Sequence, residues 1–213
     1  MPLDPLHVRV IGIAVALPEA RTAALAGGGA MLAHGIVDRV TKDIDLFTDR
    51  DADEAIRIVA ALRVAVLAVG LRVEPAPRPP HENRFVAVDP TTGESVQVEV
   101  FPDGGRLHDP VHLAVGPVLH QDDLAADKTL AMWGRGEPRD YLDVSALLQR
   151  YDHPALFALA QSKDRGLTVD TFVVSLRAVR RLGDEDWADA GIEPASAAAA
   201  RHTILDWADR LAR

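Results

Sequence analysis

The 213-residue sequence contains no cysteine, which excludes a disulfide scaffold and a cysteine-based zinc site. It also lacks an apolar run of the roughly 18 to 20 residues that a membrane helix needs. The stretch 8–17 is apolar but short, and it has neither a basic leader nor a small-residue cleavage site. We therefore expect a cytoplasmic protein with no membrane partner.

Acidic residues outnumber basic ones: the sequence has 32 Asp and Glu but only 23 Lys and Arg, which gives a net charge of -9. A general nucleic-acid coat protein is basic, since neutralising phosphates supplies most of its affinity. The composition therefore argues against that class of protein. A local basic patch that grips part of an RNA, and a small-molecule substrate, both remain open.

The distribution of Gly, Pro and apolar residues predicts an α+β protein with two parts. The length and the 48% hydrophobic content suit one large domain or two small ones. Up to about His120 the pattern is one of short elements broken by Gly and Pro, and beyond it the pattern is mostly helical. We predict a mixed-sheet lobe with flanking helices at 1–120 and a helical lobe at 121–213.

Several elements of the first lobe can be predicted from periodicity. Residues 43–48 alternate polar and apolar as a strand does, and 84–88 and 95–101 read as strands of a hairpin. Helical spacing predicts a helix at 51–69 and a short one at 30–36, whereas 6–17 fits helix or strand. Residues 111–118 are a strand or an extended segment. The second lobe is predicted to hold four or five helices, at roughly 121–134, 138–150, 153–163, 168–182 and 195–212.

Three acidic residues are the strongest candidates for chemistry. Asp43 and Asp45 lie two apart on a strand, so they project from the same face, about 7 Å apart at Cα. Glu99 joins them if its strand pairs beside theirs. Clustered carboxylates repel one another unless a cation lies among them, and Mg²⁺ or Mn²⁺ bound to such oxygens can clamp a phosphoryl displacement. Glu99 would then ligate the metal or accept a proton.

A glycine run precedes these acids. Gly28 and Gly29 at a helix start let backbone N–H groups approach an anion closely, which is where a triphosphate would lie. Taken alone, a Gly-Gly pair is usually a turn, and an Asp-x-Asp pair is usually a solvated strand face.

A second group of charged residues lies beyond residue 120. Lys128 occupies a predicted helix with apolar neighbours, and a half-buried lysine needs a partner such as a triphosphate. Arg139, Asp140 and Asp143 begin the next helix, with the two acids on one face. The plainer interpretation is that these acids favour the positive end of the helix.

The histidines show no spacing typical of a metal site. His108 and His112 are four apart, but Pro110 between them argues against a helix, so no zinc pair is predicted.

These motifs together resemble the AbiEii/AbiGii family of nucleotidyltransferase toxins, including MenT-type toxins, within the DNA polymerase beta-like nucleotidyltransferase superfamily. The resemblance covers roughly residues 20–150. The ordered matches are Gly28-Gly29-Ala30, Arg39, Thr41-x-Asp43-Ile44-Asp45-Leu46, Lys128 and Arg139-Asp140-x-x-Asp143. Ala30 stands where the family usually has a small hydroxyl residue.

The resemblance implies a nucleotidyltransferase-like fold and a role for each matched residue. Asp43 and Asp45 would hold the metal with Glu99, and Asp140 or Asp143 would organise the nucleotide or the acceptor. Phosphate and substrate contacts would come from Gly28, Gly29, Ala30, Arg39, Lys128, Arg139 and Asp143.

The family also implies an NTP as co-substrate, the 3′ end of tRNA as acceptor and a cognate antitoxin as partner. In some of its systems a hydroxyl residue at the position of Thr41 is phosphorylated, so Thr41 is a candidate regulatory phosphosite.

The sequence leaves two alternative hypotheses open. In the first, the enzyme transfers the nucleotide to a small molecule of the antibiotic type or to a protein hydroxyl, and the acidic net charge favours such acceptors. In the second, the protein binds nucleotide but is catalytically degenerate, and Ala30 in place of a hydroxyl residue supports this hypothesis.

Overall fold

The computed structural model describes residues 3–39, 41–77 and 82–212. The chain divides into two compact units, Met1–Leu124 and Ala125–Arg213, with the division inside a helix. The predicted boundary lay at residue 120, and the assignment of separate domains stays a prediction.

The described part of the first unit contains three complete α-helices, interleaved with the first two strands, followed by five consecutive strands. They are α1 (Pro5–Ala16), β1 (Ala23–Leu25), α2 (Gly27–Ala33), β2 (Asp43–Thr48), α3 (Ala52–Ala68), β3 (Arg72–Glu74), β4 (Arg84–Val88), β5 (Ser95–Pro102), β6 (Val111–Leu113) and β7 (Gly116–Val118).

Helices alone make up the regular structure described beyond residue 120, apart from a 3₁₀ turn at Val179–Arg181. They are α4 (Gln121–Gly134), α5 (Pro138–Leu147), α6 (His153–Lys163), α7 (Val169–Ala178), α8 (Asp184–Asp189) and α9 (Pro194–Leu211). The predicted α+β architecture is confirmed.

The strands of the first unit form one sheet in the order β3-β4-β5-β2-β1-β7-β6. β2 pairs parallel with β5, and β1 pairs parallel with β7, while the other neighbours are antiparallel. A parallel pair needs a long crossover connection, and the segment from α3 to β4 provides it between β2 and β5. The central strands are therefore β5 and β2, which carry the predicted acidic residues.

Alternation of side chains explains how β2 and β5 form the centre of the sheet. Ile44 and Leu46 of β2 are nearly fully buried, as are Val98 and Val100 of β5, whereas the residues between them are half-buried. α3 packs against β5 and also buries an apolar side. One face of each strand thus belongs to the core, and the other carries polar groups.

Helix caps decide the start of α1 and α3. The Asp4 carboxylate accepts the Leu6 N–H at 2.8 Å, and Pro5 lies in the first turn. Residues 6–17, for which the sequence allowed a helix or a strand, therefore belong to a helix. The Asp51 carboxylate accepts the Glu54 N–H at 2.9 Å and begins the helix predicted at 51–69.

Four segments differ from the sequence predictions by more than a shift of one residue at an end. α2 begins at Gly27, three residues early, because the Ala30 N–H already donates to the Ala26 carbonyl. α5 ends at Leu147, and the segment predicted at 168–182 is α7 followed by the 3₁₀ turn. Residues 111–118 form two strands joined by a turn at 114–115, and Gly116, which begins the second strand, has a φ of 111°.

α8 was not predicted, and it is too short for periodicity to reveal. Its N-terminus is stabilised by the Asp186 carboxylate, which accepts the Gly183 N–H at 2.7 Å, and by three acidic residues in its first turn.

The second unit has an aromatic core of its own. The Phe172 ring centroid lies 4.9 Å from that of Trp207 and 5.4 Å from that of Phe157. α5 and α7 both pack against α9, which supplies Trp207. Within the ranges that the structure describes, no helix is both long and apolar enough to cross a membrane.

Candidate functional site

The predicted acidic residues meet on the polar face of β2 and β5. The two strands pair in register, with Asp43 opposite Gln97 and Asp45 opposite Glu99. Partners in a parallel pair project to the same side, and neighbouring strands lie about 4.8 Å apart. Asp43, Asp45 and Glu99 are thus brought together on one half-buried face.

The glycine run lies directly against Asp45. Gly27 has a φ of 56°, and a Cβ added there would overlap the Asp45 carboxylate. The Ala26 N–H donates to the Asp45 carbonyl at 2.8 Å, which fixes the run to β2. Gly27 is therefore required for both its backbone conformation and the close approach of Asp45.

Gly28 is bordered by two polar side chains from the segment before β2. A Cβ at Gly28 would lie 2.8 Å from Thr41 Oγ1 and 3.8 Å from Arg39 Nη1. Gly29 and Ala30 have other surroundings, since a Cβ at Gly29 would meet the Leu25 side chain at 3.1 Å and Ala30 is fully buried. Gly28, one of the predicted phosphate contacts, therefore has polar side-chain neighbours.

Thr41 is buried beside the acids. It is 7% exposed, and its hydroxyl donates to the Asp43 carbonyl at 3.2 Å. A modified Thr41 would have to give up that hydrogen bond.

Two residues that the sequence analysis did not assign hold Glu99. The Gln97 side-chain amide donates to Glu99 Oε1 at 2.8 Å, and Arg84 Nη1 lies 3.3 Å from the same oxygen. Arg84 and Glu99 are only 15% and 13% exposed at the side chain. The hairpin would have revealed Arg84, because the register that pairs Val88 with Ser95 also pairs Arg84 with Glu99.

Arg84 modifies the electrostatic argument for a cation. The mutual repulsion of three carboxylates predicted a metal, and the guanidinium of Arg84 offsets part of that charge. The donor set itself suits a hard divalent ion, since Asp43, Asp45 and Glu99 offer carboxylate oxygens on one polar face. These residues therefore fit Mg²⁺ or Mn²⁺.

In the second unit, Lys128 and Asp143 form a pair. Lys128 Nζ lies 2.8 Å from Asp143 Oδ2, and the two side chains are 12% and 1% exposed. A half-buried lysine needs a partner of opposite charge. The sequence predicted a triphosphate in this role, and in the structure the partner is Asp143.

Asp140 stabilises the start of α5, whereas Arg139 connects α5 to the end of α8. The Asp140 carboxylate accepts two bonds from Arg135, both at 2.8 Å, and one from the Glu137 N–H at 3.1 Å. Arg139 donates to the Ala190 carbonyl at 3.2 Å. The sequence predicted only that Asp140 favours the positive end of the helix, and in the structure its carboxylate also forms part of a capping box.

The histidines were predicted to show no local metal-site spacing, and in particular no zinc pair of His108 and His112. His108 does not lie with His112 but with His120 and Asp122, and one potential ligand atom from each of these three lies within 4.8 Å of the others. Tertiary structure joins residues 12 and 14 positions apart, which local spacing does not reveal.

Comparison with known proteins gives the relatives of this chain. The sequence profile of the family described as "Nucleotidyl transferase AbiEii toxin, Type IV TA system" matches residues 12–205. The structure is similar to MenT4, a nucleotidyltransferase toxin from Mycobacterium tuberculosis H37Rv, with a TM-score of 0.60 and 17% identity over 95% of this chain and 86% of that one. It is also similar to JHP933 from Helicobacter pylori, with a TM-score of 0.51 and 13% identity over 99% and 95%. The comparison with curated proteins gave no match.

At these identities the structural likeness concerns the fold, and it confirms the predicted nucleotidyltransferase-like architecture.

Gly27→Ala should destabilise the protein, whereas Gly12→Ala should stabilise it. Gly27→Ala places a side chain in the left-handed region and against Asp45, at a cost of at least about 1–2 kcal/mol. Gly12 lies in α1 with open space around it, and alanine there should add about 0.5–1 kcal/mol. Urea unfolding measures both, and a Gly27→Ala variant as stable as its parent would contradict the close approach of Asp45.

Proposed function

The chain belongs to the AbiEii family of nucleotidyltransferase toxins of type IV toxin–antitoxin systems, and we propose that it transfers a nucleoside monophosphate from an NTP to the 3′ end of tRNA. Loss of a functional 3′ end would block translation. The family implies an antitoxin partner and an NTP substrate.

The observation that supports this proposal most directly is the position of Asp45. It lies beside Glu99 in the β2–β5 register, two residues from Asp43 on the same face, and against Gly27. Carboxylates at the edge of a glycine run suit a triphosphate that is held through a divalent metal.

The metal that we propose is Mg²⁺ or Mn²⁺, held by Asp43, Asp45 and Glu99. When bound, it would neutralise charge on the phosphates as the acceptor hydroxyl attacks the α-phosphorus and pyrophosphate leaves.

Glu99 is proposed to ligate this metal or to accept the proton of the attacking hydroxyl. Its carboxylate is oriented by Gln97 and Arg84, which both contact Oε1. A carboxylate held in one orientation is ready for either task without reorganisation.

The remaining contacts follow from the resemblance to the family. Gly28 and Gly29 would approach the phosphates through their backbone N–H groups, with Arg39 adding positive charge beside Gly28. Ala30, also matched by the family motif, is buried and its N–H donates to the Ala26 carbonyl, so it would support this turn without binding phosphate through that N–H. Lys128 would contact phosphate, and Arg139, Asp140 and Asp143 would serve the nucleotide or the acceptor. A phosphate that binds Lys128 would compete with Asp143 for Nζ.

Asp43→Asn and Asp45→Asn should each lower nucleotide transfer by at least about 100-fold, because each removes a negative oxygen that holds the metal. Growth arrest on expression should be lost as well. Asp49→Asn is the matched control, since Asp49 is exposed just beyond the end of β2. Radiolabelled transfer measures all three. Full toxicity of Asp43→Asn with no transfer would favour the degenerate nucleotide-binding alternative.

Labelled NTPs incubated with total RNA and the purified protein should label tRNA in an Asp43-dependent manner. Sequencing of the labelled ends identifies the added nucleotide and its position. Label that enters protein or a small molecule instead of RNA would favour the alternative acceptors.

We also propose that phosphorylation of Thr41 inactivates the protein, since a phosphate there would add negative charge beside Asp43 and Gly28. Thr41→Glu should therefore abolish transfer. Thr41→Val keeps the size of the side chain without its hydroxyl or a charge, so it should retain most of the activity. Thermal unfolding checks that both variants fold. Equal losses in the two variants, or full activity of Thr41→Glu, would contradict the proposal.

A further inference from the structure

Two histidines and an aspartate converge where β7 leads into α4. They are His108, His120 and Asp122, and each offers a ligand atom within 4.8 Å of the other two. All three belong to the first unit. β1 lies between β7 and β2 in the sheet order, so the strand that leads to this group is not a neighbour of the strands that carry the acids.

One carboxylate oxygen faces both imidazoles. His108 Nε2 lies 3.5 Å from Asp122 Oδ2, and His120 Nδ1 lies 3.7 Å from the same atom. The ring centroids of the two histidines are 4.4 Å apart. In a tetrahedral zinc site with bonds of about 2.0–2.1 Å, ligand atoms lie roughly 3.4 Å apart. These separations are therefore close to those of ligands around one ion.

The backbone that carries His108 is fixed by a buried acid next to the group. Asp123 is fully buried, and its two carboxylate oxygens accept the N–H of Leu107 at 2.7 Å and the N–H of His108 at 2.9 Å. The segment before β6 is thereby tied to the start of α4. His108 is held in position before any ligand arrives, which lowers the entropic cost of binding.

The other histidine is positioned by the sheet. The Leu119 N–H donates to the Leu25 carbonyl at 2.9 Å, directly before His120. The Asp122 backbone N–H donates to His120 Nδ1 at 3.2 Å, which orients the ring, and an ion bound at Nδ1 would replace that hydrogen bond. The nitrogen that accepts a hydrogen bond is the unprotonated one, and an unprotonated imidazole nitrogen is what ligates a metal.

We propose that His108, His120 and Asp122 bind Zn²⁺. Two imidazole nitrogens and one carboxylate oxygen suit a borderline transition metal, whereas Mg²⁺ prefers oxygen ligands alone. Three protein ligands leave a tetrahedral Zn²⁺ one position for water or an outside ligand. The ion would join the segment before β6 to α4.

The test titrates metal-free protein with Co²⁺, a coloured probe of zinc sites, and then with Zn²⁺, in the full chain carrying Asp43→Asn. That substitution weakens metal binding at the β2–β5 acids, so the titration reports on the histidine group. We expect one equivalent of Co²⁺ with visible absorption, its displacement by Zn²⁺, and a rise in the melting temperature with Zn²⁺.

His108→Ala and His120→Ala should each weaken Zn²⁺ binding at least about 100-fold, because each substitution removes one of the three protein ligands. His112→Ala is the matched control, because His112 is an exposed histidine of the same region outside the group. Both ligand side chains are partly exposed, at 47% and 34%, so the variants should fold, and melting in EDTA checks this.

Unchanged binding in His108→Ala and His120→Ala, or an equal loss in His112→Ala, would overturn the proposal. Failure to bind Zn²⁺ at micromolar concentration would do so too. None of these readouts depends on nucleotide transfer, so the experiment tests the zinc site independently of the proposed activity.

Discussion

The in-register parallel pairing of β2 with β5 is the constraint on which the candidate site depends. Because the side chains of a strand alternate, a slip of one residue would turn Glu99 towards the core and bring Val98 or Val100 beside Asp45. The buried residues Ile44, Leu46, Val98 and Val100 oppose such a slip, since they would lose their apolar surroundings. The core of the first unit and the acidic face are therefore consequences of one register.

The polar face is balanced by groups from neighbouring elements. Arg84 on the far side of β5 offsets charge at Glu99, and Gln97 orients the same carboxylate. Gly27 on the other side leaves room for Asp45. A site that gathers acids needs both kinds of support, because unpaired carboxylates repel and a bulky neighbour would displace them.

In the second unit, the charged residues predicted from the sequence form ion pairs and hydrogen bonds with other residues of the same unit. Lys128 pairs with Asp143, and Asp140 is bound by Arg135 and by the start of its own helix. Buried charges are stable only with such partners, since desolvation is otherwise costly. Asp140 therefore has a structural task whatever further role it has in the family chemistry.

Local pattern in the sequence determined much of this protein. Alternation defined β2, and turn residues defined the hairpin of β4 and β5, because both depend on neighbours a few positions apart. The ordered motifs identified the family and the acidic pair. Tertiary structure alone decided that β5 lies beside β2 and that His108 meets His120 and Asp122. The physical reason is that these contacts join residues distant in the chain, whose register is set by packing of the whole core.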